Sequence, residues 1–399
     1  MIYATIKGAC LEYGTNGGRR VHVMIVSRGI PTKEYHLNGI FEFDQAKALA
    51  EEGVKVTFLA LDTRSIRRWR KWGAEQFEKD GVEVLVANIP WGRFFASARN
   101  KVAELALKRM YKKAIKRQGV PDVIHAHFFH IGYVSTRALD WAKVPIIVTE
   151  HFSGLMKKVV EKKVLDEAGY AYEHADKSIA VSPGLVHSMK EKFNIEAIYV
   201  PNIVDTGLFR YIPAKEKETF DFITVANLIE RKRIDNLIHA SAELFSKYTN
   251  MTLAIYGEGT ERNKIEWLIR KYSLEDKVFL MGNSSRAEIA QKMLQSDCFV
   301  LPSQAETFGV VYIEAMASGK PVIATKCGGP EGFVNQVNGL LIPIDDEMAL
   351  VNAMEEMYLN VKRYDGENIA KETVQKFSPR AVAKQLIQVY EEVLKEKTI

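Results

Sequence analysis

Two carboxylates, Glu306 and Glu314, stand eight positions apart in the text SQAETFGVVYIEAMASGKPVIATKCGGPE, which spans 303–331. The apolar run Cys298-Phe299-Val300-Leu301, ended by Pro302, has the character of a buried parallel strand. The polar turn after it carries Glu306. A helical pattern then runs from 308 to Gly319, where the glycine and Pro321 are a stop signal. It carries Glu314 about two turns in, on the face turned back toward the same crevice. A second apolar run over 321–325 leads into Cys327-Gly328-Gly329-Pro330, so the segment reads as one strand–loop–helix–strand unit. Open α/β sheets take ligands outside the carboxyl ends of their strands, and a helix start suits phosphate. Carboxylates placed there suit the hydroxyls of a sugar. The competing reading makes Glu306 a first-turn dipole partner and Glu314 a solvated helix residue.

Other residue types gather at strand ends. The loop Asn227-Leu-Ile-Glu-Arg-Lys-Arg233 follows an apolar run and brings Arg231 and Lys232 to a helix that starts near Ile234. Such cations stabilise charge on a leaving phosphate; a solvated cluster is the alternative. Val144-Pro-Ile-Ile-Val-Thr-Glu-His151 is an apolar strand that ends in a histidine at a sheet's carboxyl edge, a position that is also compatible with a structural role. His125 and His127 share one strand face and read as a cleft wall or as core histidines. A metal would need a third ligand, for which His130 is a weak candidate, so no metal site is expected. Cys10, Cys298 and Cys327 are far apart, which argues against a disulfide framework or a zinc site and for a reducing compartment. Gly257-Glu-Gly259 ends another strand in a glycine turn. It is no dinucleotide fingerprint, because Arg262 stands where a third glycine belongs.

The 306–331 text resembles the donor-binding core of the retaining, nucleotide-sugar-dependent glycosyltransferases of family 4, of the bacterial or archaeal cell-surface polysaccharide type. Their E-x7-E motif, EAMA-x-GKPV run and GG-x-x-E loop all have counterparts here. The resemblance implies an α/β protein of GT-B fold, with two facing Rossmann-like domains and the active site in the cleft between them. It implies sugar transfer from a UDP- or GDP-sugar donor to a hydroxyl, on a glycan or lipid-linked glycan, with retention of configuration. Glu314 is then expected to hold the ribose hydroxyls. Glu306, with the backbone N–H groups of Phe308 and Gly309, is expected to hold those of the donor sugar. Lys232 matches the lysine that clamps the diphosphate, and His151 the histidine near the sugar's 6-hydroxyl. Gly39 matches a glycine whose N–H faces the phosphates, and Gly257 belongs to the donor-side turn.

The text also departs from the family. Asn227 replaces an arginine, Arg233 a glycine and Ile203 the glycine of a PNG-x-D element at the domain junction, and Arg231 is the candidate for the missing charge. No partner carboxylate for a glycosidase-type double displacement is obvious. A front-face displacement, with the leaving phosphate taking the acceptor's proton, fits the family. Neither metal nor cofactor is expected, since neither ligand loop carries Asp-x-Asp. The alternatives are a nucleotide-sugar epimerase or phosphorylase of the same fold, the latter without an identifiable pyridoxal lysine, and a non-catalytic nucleotide-sugar-binding partner subunit.

The elements that position these residues need two domains, which 399 residues supply. Residues 1–20 read as a loose leader and 21–205 as an acceptor-side Rossmann-like domain. Residues 206–375 read as the donor-binding domain, and 376–399 as a helix that packs back on the first domain. The net charge of +5 is uneven: 31 Lys/Arg face 23 Asp/Glu over 1–205, against 24 and 27 in the remainder. Over 91–117 nine basic residues face Glu104 alone. With the aromatic residues of 64–72 and 91–95, that surface (64–117) suits an anionic membrane or is a plain solvated face. Nucleic acid is not expected, because no recognition module accompanies the charge. No run approaches 18 apolar residues and the first 20 are too polar for a signal peptide, so the expected location is cytoplasmic, with peripheral contact to the inner face of the membrane.

Overall fold

The computed structural model describes residues 21–32, 35, 38–64, 71–91, 96–213 and 217–397. The leader expected over 1–20, the basic stretch 65–70, and Phe94 and Phe95 lie outside these residues.

Continuous apolar runs form strands buried on both faces, as a parallel sheet with helices on either side requires. In the first domain they are β1 (His22–Ser27), β2 (Lys55–Asp62), β4 (Val82–Asn88), β5 (Val123–His127), β6 (Ile146–Glu150) and β7 (Lys177–Ala180), flanked by two edge strands, the polar and largely exposed β3 (Gly73–Lys79) and the half-buried β8 (Ile198–Tyr199). Their order is β3-β4-β2-β1-β5-β6-β7-β8, parallel except for β3 against β4. That exception is a hairpin, turned at Asp80-Gly81 with φ of 51° and 74°, the paired positive values of a tight two-residue turn.

The second domain has β9 (Phe220–Val225), β10 (Met251–Tyr256), β11 (Val278–Gly282), β12 (Cys298–Leu301), β13 (Val322–Thr325) and β14 (Gly339–Ile342). Their order is β11-β10-β9-β12-β13-β14, all parallel. In each sheet the chain reverses its direction of growth once, between β1 and β5 and between β9 and β12. Loops leaving such paired strands diverge to opposite faces and open a crevice at their carboxyl ends. The 220–233 and 298–309 segments therefore meet, as do the loops after β1 and β5.

The last helix, Pro379–Glu396, leaves the second domain and packs on the first sheet beside the helix Ile40–Glu51. Ser378 caps it by accepting from the Ala381 N–H, and Pro379 occupies the first turn, where a missing N–H costs nothing. Val382, Leu386, Val389, Tyr390 and Val393 recur at helical spacing and are all buried among β1, β2 and β4 side chains. Tyr390 Oη reaches His125 Nδ1 at 2.7 Å, so this helix supports the base of the first-domain crevice.

Leu386→Ala should lower the stability of the first domain by about 2–4 kcal/mol, the cost of a buried leucine cavity. Denaturant titration with a first-domain probe checks this. A loss well below 1 kcal/mol would show that the helix is not part of that core.

Candidate active site

Glu306 sits in the turn after β12 and is 8% exposed. A charge so placed needs partners, and Oε1 has two: Lys232 Nζ at 2.5 Å and Ser303 Oγ at 2.7 Å. No bond to Oε2 is found among the described residues. Lys232 comes from the turn Glu230–Lys232 after β9, the neighbour of β12, so the switch point itself brings the pair together. Gly309 follows at φ 92° and caps the helix Val310–Ala317, whose first N–H groups face the same turn. The helix starts two residues later than the pattern indicates, which puts Glu314 one turn in rather than two.

Glu314 is as buried as Glu306, at 7% exposed, and Oε1 takes a bond of 2.8 Å from Arg286 Nη2. Arg286 opens the helix Arg286–Gln295 after β11 and lies 5.5 Å from the Phe209 ring centroid. Its other terminal nitrogen is 3.9 Å from Asp44, which belongs to the helix Ile40–Glu51 of the first domain. Burial raises the pKa of Glu314 and Arg286 opposes that shift. For Asp44 the balance is poorer: burial, against the attraction of Arg286, pushes its pKa up to about 6.

Across the cleft, His151 follows β6. Its Nε2 is 3.0 Å from His127 Nδ1, and its Nδ1 is buried without a partner among the described residues. Burial, with the Arg28 charge nearby, lowers its pKa to about 3, so the imidazole is neutral at physiological pH. The peptide around it is fixed by Glu150, the last residue of β6. This buried carboxylate accepts from the N–H groups of His151, Phe152 and Phe129 and from Tyr172 Oη. The loop then crosses to the second domain. Ser153 Oγ accepts from Arg231 Nη1 at 3.3 Å, and Met156 packs on Gly328. Gly184 lies so near the Gly328 carbonyl that a Cβ would come within 2.6 Å of it.

Among the expected site residues, the structure groups Lys232, Glu306, Phe308, Gly309 and Glu314 on one wall. Arg231 lies at the rim and reaches His151's loop. Asn227 is exposed after β9. Gly257 follows β10 and donates its N–H to the Gly282 carbonyl, which holds two donor-side loops together. Gly39, at φ 73°, opens the helix Ile40–Glu51 on the opposite wall. Arg233, where the family has glycine, adopts φ 53° in the left-handed region that favours glycine. Glu331 of the GG-x-x-E text accepts from the Gly328 N–H and so closes its own loop. His125 bonds Thr149 and Tyr390 within the core, and no metal-binding cluster occurs among the described residues. Burial raises the pKa of the Cys327 thiol to about 11, which makes it a poor nucleophile.

Residues 207–392 match the model described as Glycosyl transferases group 1, and residues 43–208 that of Glycosyltransferase Family 4. An uncharacterized glycosyltransferase of Methanocaldococcus jannaschii is 29% identical over 322 residues, 79% of this chain and 87% of that protein. Sucrose-phosphate synthase from Thermosynechococcus elongatus superposes with a TM-score of 0.76 at 22% identity, over 95% of this chain and 100% of its own. Anabaena HepE, solved in complex with UDP-glucose, gives 0.70 at 18% identity, over 94% and 100%. At these identities both structures speak for the fold.

Asp44 carries the pH dependence of the domain contact. Its pKa is raised from 3.8 to about 6 on folding, so its contribution to stability is full below pH 3.8 and is lost as the pH rises through 6. Asp44→Asn should therefore stabilise the protein at pH 7.5 by about 1–3 kcal/mol and make no difference below pH 4. Melting curves of the two proteins across that range check this. A variant that is less stable at pH 7.5 would reverse the assignment.

Proposed function

The chain belongs to the family 4 glycosyltransferases and has their GT-B fold, and from that premise we propose that it moves a sugar from a nucleoside-diphosphate sugar to a hydroxyl acceptor with retention of configuration. The observation that carries the reading is the Lys232–Glu306 pair at the second switch point, at a helix start, on the wall opposite His151. A leaving diphosphate gains negative charge as the glycosidic bond breaks. Lys232 and the rim guanidinium of Arg231 stabilise that charge in a partly dry cleft. Glu306 keeps Oε2 for a donor-sugar hydroxyl, beside the N–H groups of the helix start. Glu314, held through Oε1 by Arg286, offers Oε2 to the ribose in the same way. His151, neutral, hydrogen-bonds the sugar through Nδ1 and carries no charge to the reaction.

Glu150, the carboxylate next to His151, is no nucleophile, since three N–H groups and a phenol occupy its oxygens. A front-face displacement, with the departing phosphate taking the acceptor's proton, asks no more of the protein than these groups supply. A UDP-glucose complex of a protein with this fold supports a nucleotide-sugar donor. The acceptor side fits a glycan or lipid-linked glycan of cell-surface polysaccharide synthesis, met at the cytoplasmic face of a membrane. The helix Ala96–Gln118 exposes Lys101, Arg109, Lys112, Lys113, Lys116 and Arg117 around an exposed Leu105, a face suited to anionic headgroups. No helix of the described residues is long and apolar enough to cross a membrane.

Incubation with each UDP- and GDP-sugar should release nucleoside diphosphate slowly without acceptor and faster with one. Release of a 2-epimerised sugar instead would favour an epimerase, and binding without turnover a partner subunit. Glu306→Ala and Glu306→Gln should cut turnover by about 10²–10³-fold while nucleotide affinity stays within a few-fold. Equal losses in both quantities would move Glu306 to the nucleotide. Lys112→Glu with Lys113→Glu and Lys116→Glu should weaken sedimentation with anionic liposomes, and unchanged sedimentation would retire the membrane face.

A further inference from the structure

The two walls of the cleft differ in how their cations are matched. On the donor wall Lys232 bonds Glu306 and Arg286 bonds Glu314, each at hydrogen-bonding distance. On the first-domain wall, Arg28 and Arg99 have no hydrogen-bonded carboxylate among the described residues. Arg28 is the first residue past β1, at the first switch point, and its guanidinium lies 3.8 Å from the Phe128 ring centroid. Phe128, the first residue past β5, is held at φ 68°, a conformation that side chains rarely adopt. Its ring is 4.9 Å from that of His151 and 5.8 Å from that of His130, so Arg28 stands at the His151 end of the cleft.

Among the described residues the carboxylate that meets Arg28 is Glu42, 3.8 Å from Nε, which is too long for a hydrogen bond. Burial pushes the pKa of Glu42 up, which weakens it as a counter-ion. Among the described residues the Arg28 side chain donates no hydrogen bond, although it is 44% exposed. Arg99, near the start of the helix Ala96–Gln118, has no carboxylate within ion-pair distance among the described residues. The fields of Arg28 and Arg99 both act on His130, whose pKa burial and these two charges lower to about 3. A neutral imidazole cannot offset either guanidinium. A planar guanidinium fixed on an aromatic face, with its donor edge open to a cleft, is suited to bind a carboxylate or phosphate through two bonds.

Resting on the transferase reading of this cleft, we propose that the acceptor carries an oxyanion, a carboxylate or a phosphate ester, close to the hydroxyl that is glycosylated, and that Arg28, assisted by Arg99, binds it. The pairing explains why a cationic wall faces a donor site already supplied with its own cations. It also predicts selectivity: of two acceptors with the same hydroxyls, the anionic one is used.

Two measurements test this. In the first, protein saturated with UDP or GDP, so that the diphosphate site is filled, is titrated with inorganic phosphate and with malonate. Saturable binding is expected, weakened at least tenfold in Arg28→Gln, less in Arg99→Gln, and largely kept in Arg28→Lys. Thermal melting shows whether each variant is folded; should Arg28→Gln not fold, Arg28→Lys and Arg99→Gln carry the comparison. In the second, glycerol, glycerate and glycerol phosphate are compared as stimulators of nucleotide release from the donor. The two anions should exceed glycerol, with their order separating carboxylate from phosphate, and their advantage should collapse in Arg28→Gln.

Absence of saturable anion binding, binding that Arg28→Gln leaves intact, or equal use of glycerol would overturn the proposal. Failure of every nucleotide sugar to bind or turn over would instead overturn the transferase reading. The anion titration, run then on the nucleotide-free protein, still decides the subsite.

Discussion

A carboxylate withdrawn from water must find positive charge or several N–H groups close by, and this cleft is built around carboxylates in that condition. Glu306, Glu314 and Glu150 are each more than nine-tenths buried, and each is met differently. Lys232 meets Glu306 within the second domain. Arg286 meets Glu314 and extends toward Asp44 of the first. Glu150 is met without any cation, by backbone donors and Tyr172. Breaking such a pair by removing one partner costs far more than the pair gains over an apolar substitute. The arrangement is therefore better understood as an investment in position than in stability. Glu306 and Glu314 are each fixed through one oxygen, which leaves the second open to the cleft, whereas both oxygens of Glu150 are taken.

The topology makes this possible with little help from the loops. Lys232 and Glu306 are 74 residues apart in the chain, yet they leave adjacent parallel strands at the same edge, and their loops meet as a consequence of strand order. Arg28, Phe128 and His151 follow β1, β5 and β6, three neighbouring strands of the first sheet, and converge for the same reason. The second connection between domains is the helix Pro379–Glu396, which returns to the first sheet and places Tyr390 against His125. The rings of His125 and His127 are 4.4 Å apart and those of His127 and His151 5.3 Å apart. A side chain near the end of the chain thus supports His151 at the cleft.

The parts of this site that are legible in the sequence are those in which residue type and local pattern coincide. Glu306, Lys232 and His151 each stand in the loop that follows an apolar strand, where the strand periodicity that hides a core also marks where it stops, and Glu314 sits one turn into the helix that follows. Arg286, Asp44 and Glu150 carry no such mark. Asp44 and Arg286 are 242 positions apart, and nothing local in either helix announces that they meet. Glu150 reads as a polar residue at a strand end, and its four donors come from three different segments. The hairpin of β3 and β4 is a different case. Asp80-Gly81 between alternating strands is a usable signal, but it lies beside a basic stretch that draws the reading toward the surface. The helix start at Val310 is displaced because Gly309 takes a left-handed conformation, which the helical pattern of 308–319 does not encode.

The buried histidines bear on the chemistry in one further way. Histidine is the usual source of pH sensitivity near neutrality, and four of them line or underlie this cleft. Burial lowers the pKa of His125, His130 and His151 to about 3 and that of His127 well below the ordinary value. His125, His130 and His151 therefore keep one charge state between pH 5 and 8, and His127 is shifted in the same direction. His127 and His151 share a hydrogen bond between neutral rings, so one ring must donate and the other accept, and the tautomer chosen fixes what His151 Nδ1 presents. If His127 donates, Nδ1 of His151 carries the proton and offers a hydrogen-bond donor to the cleft. If His127 accepts, Nδ1 offers a lone pair that accepts a hydrogen bond. Sensitivity to pH then passes to the domain contact, where Asp44, at about 6, changes charge within that range, against the guanidinium that also holds Glu314. As the pH rises past 6, Arg286 is drawn between two carboxylates on opposite domains.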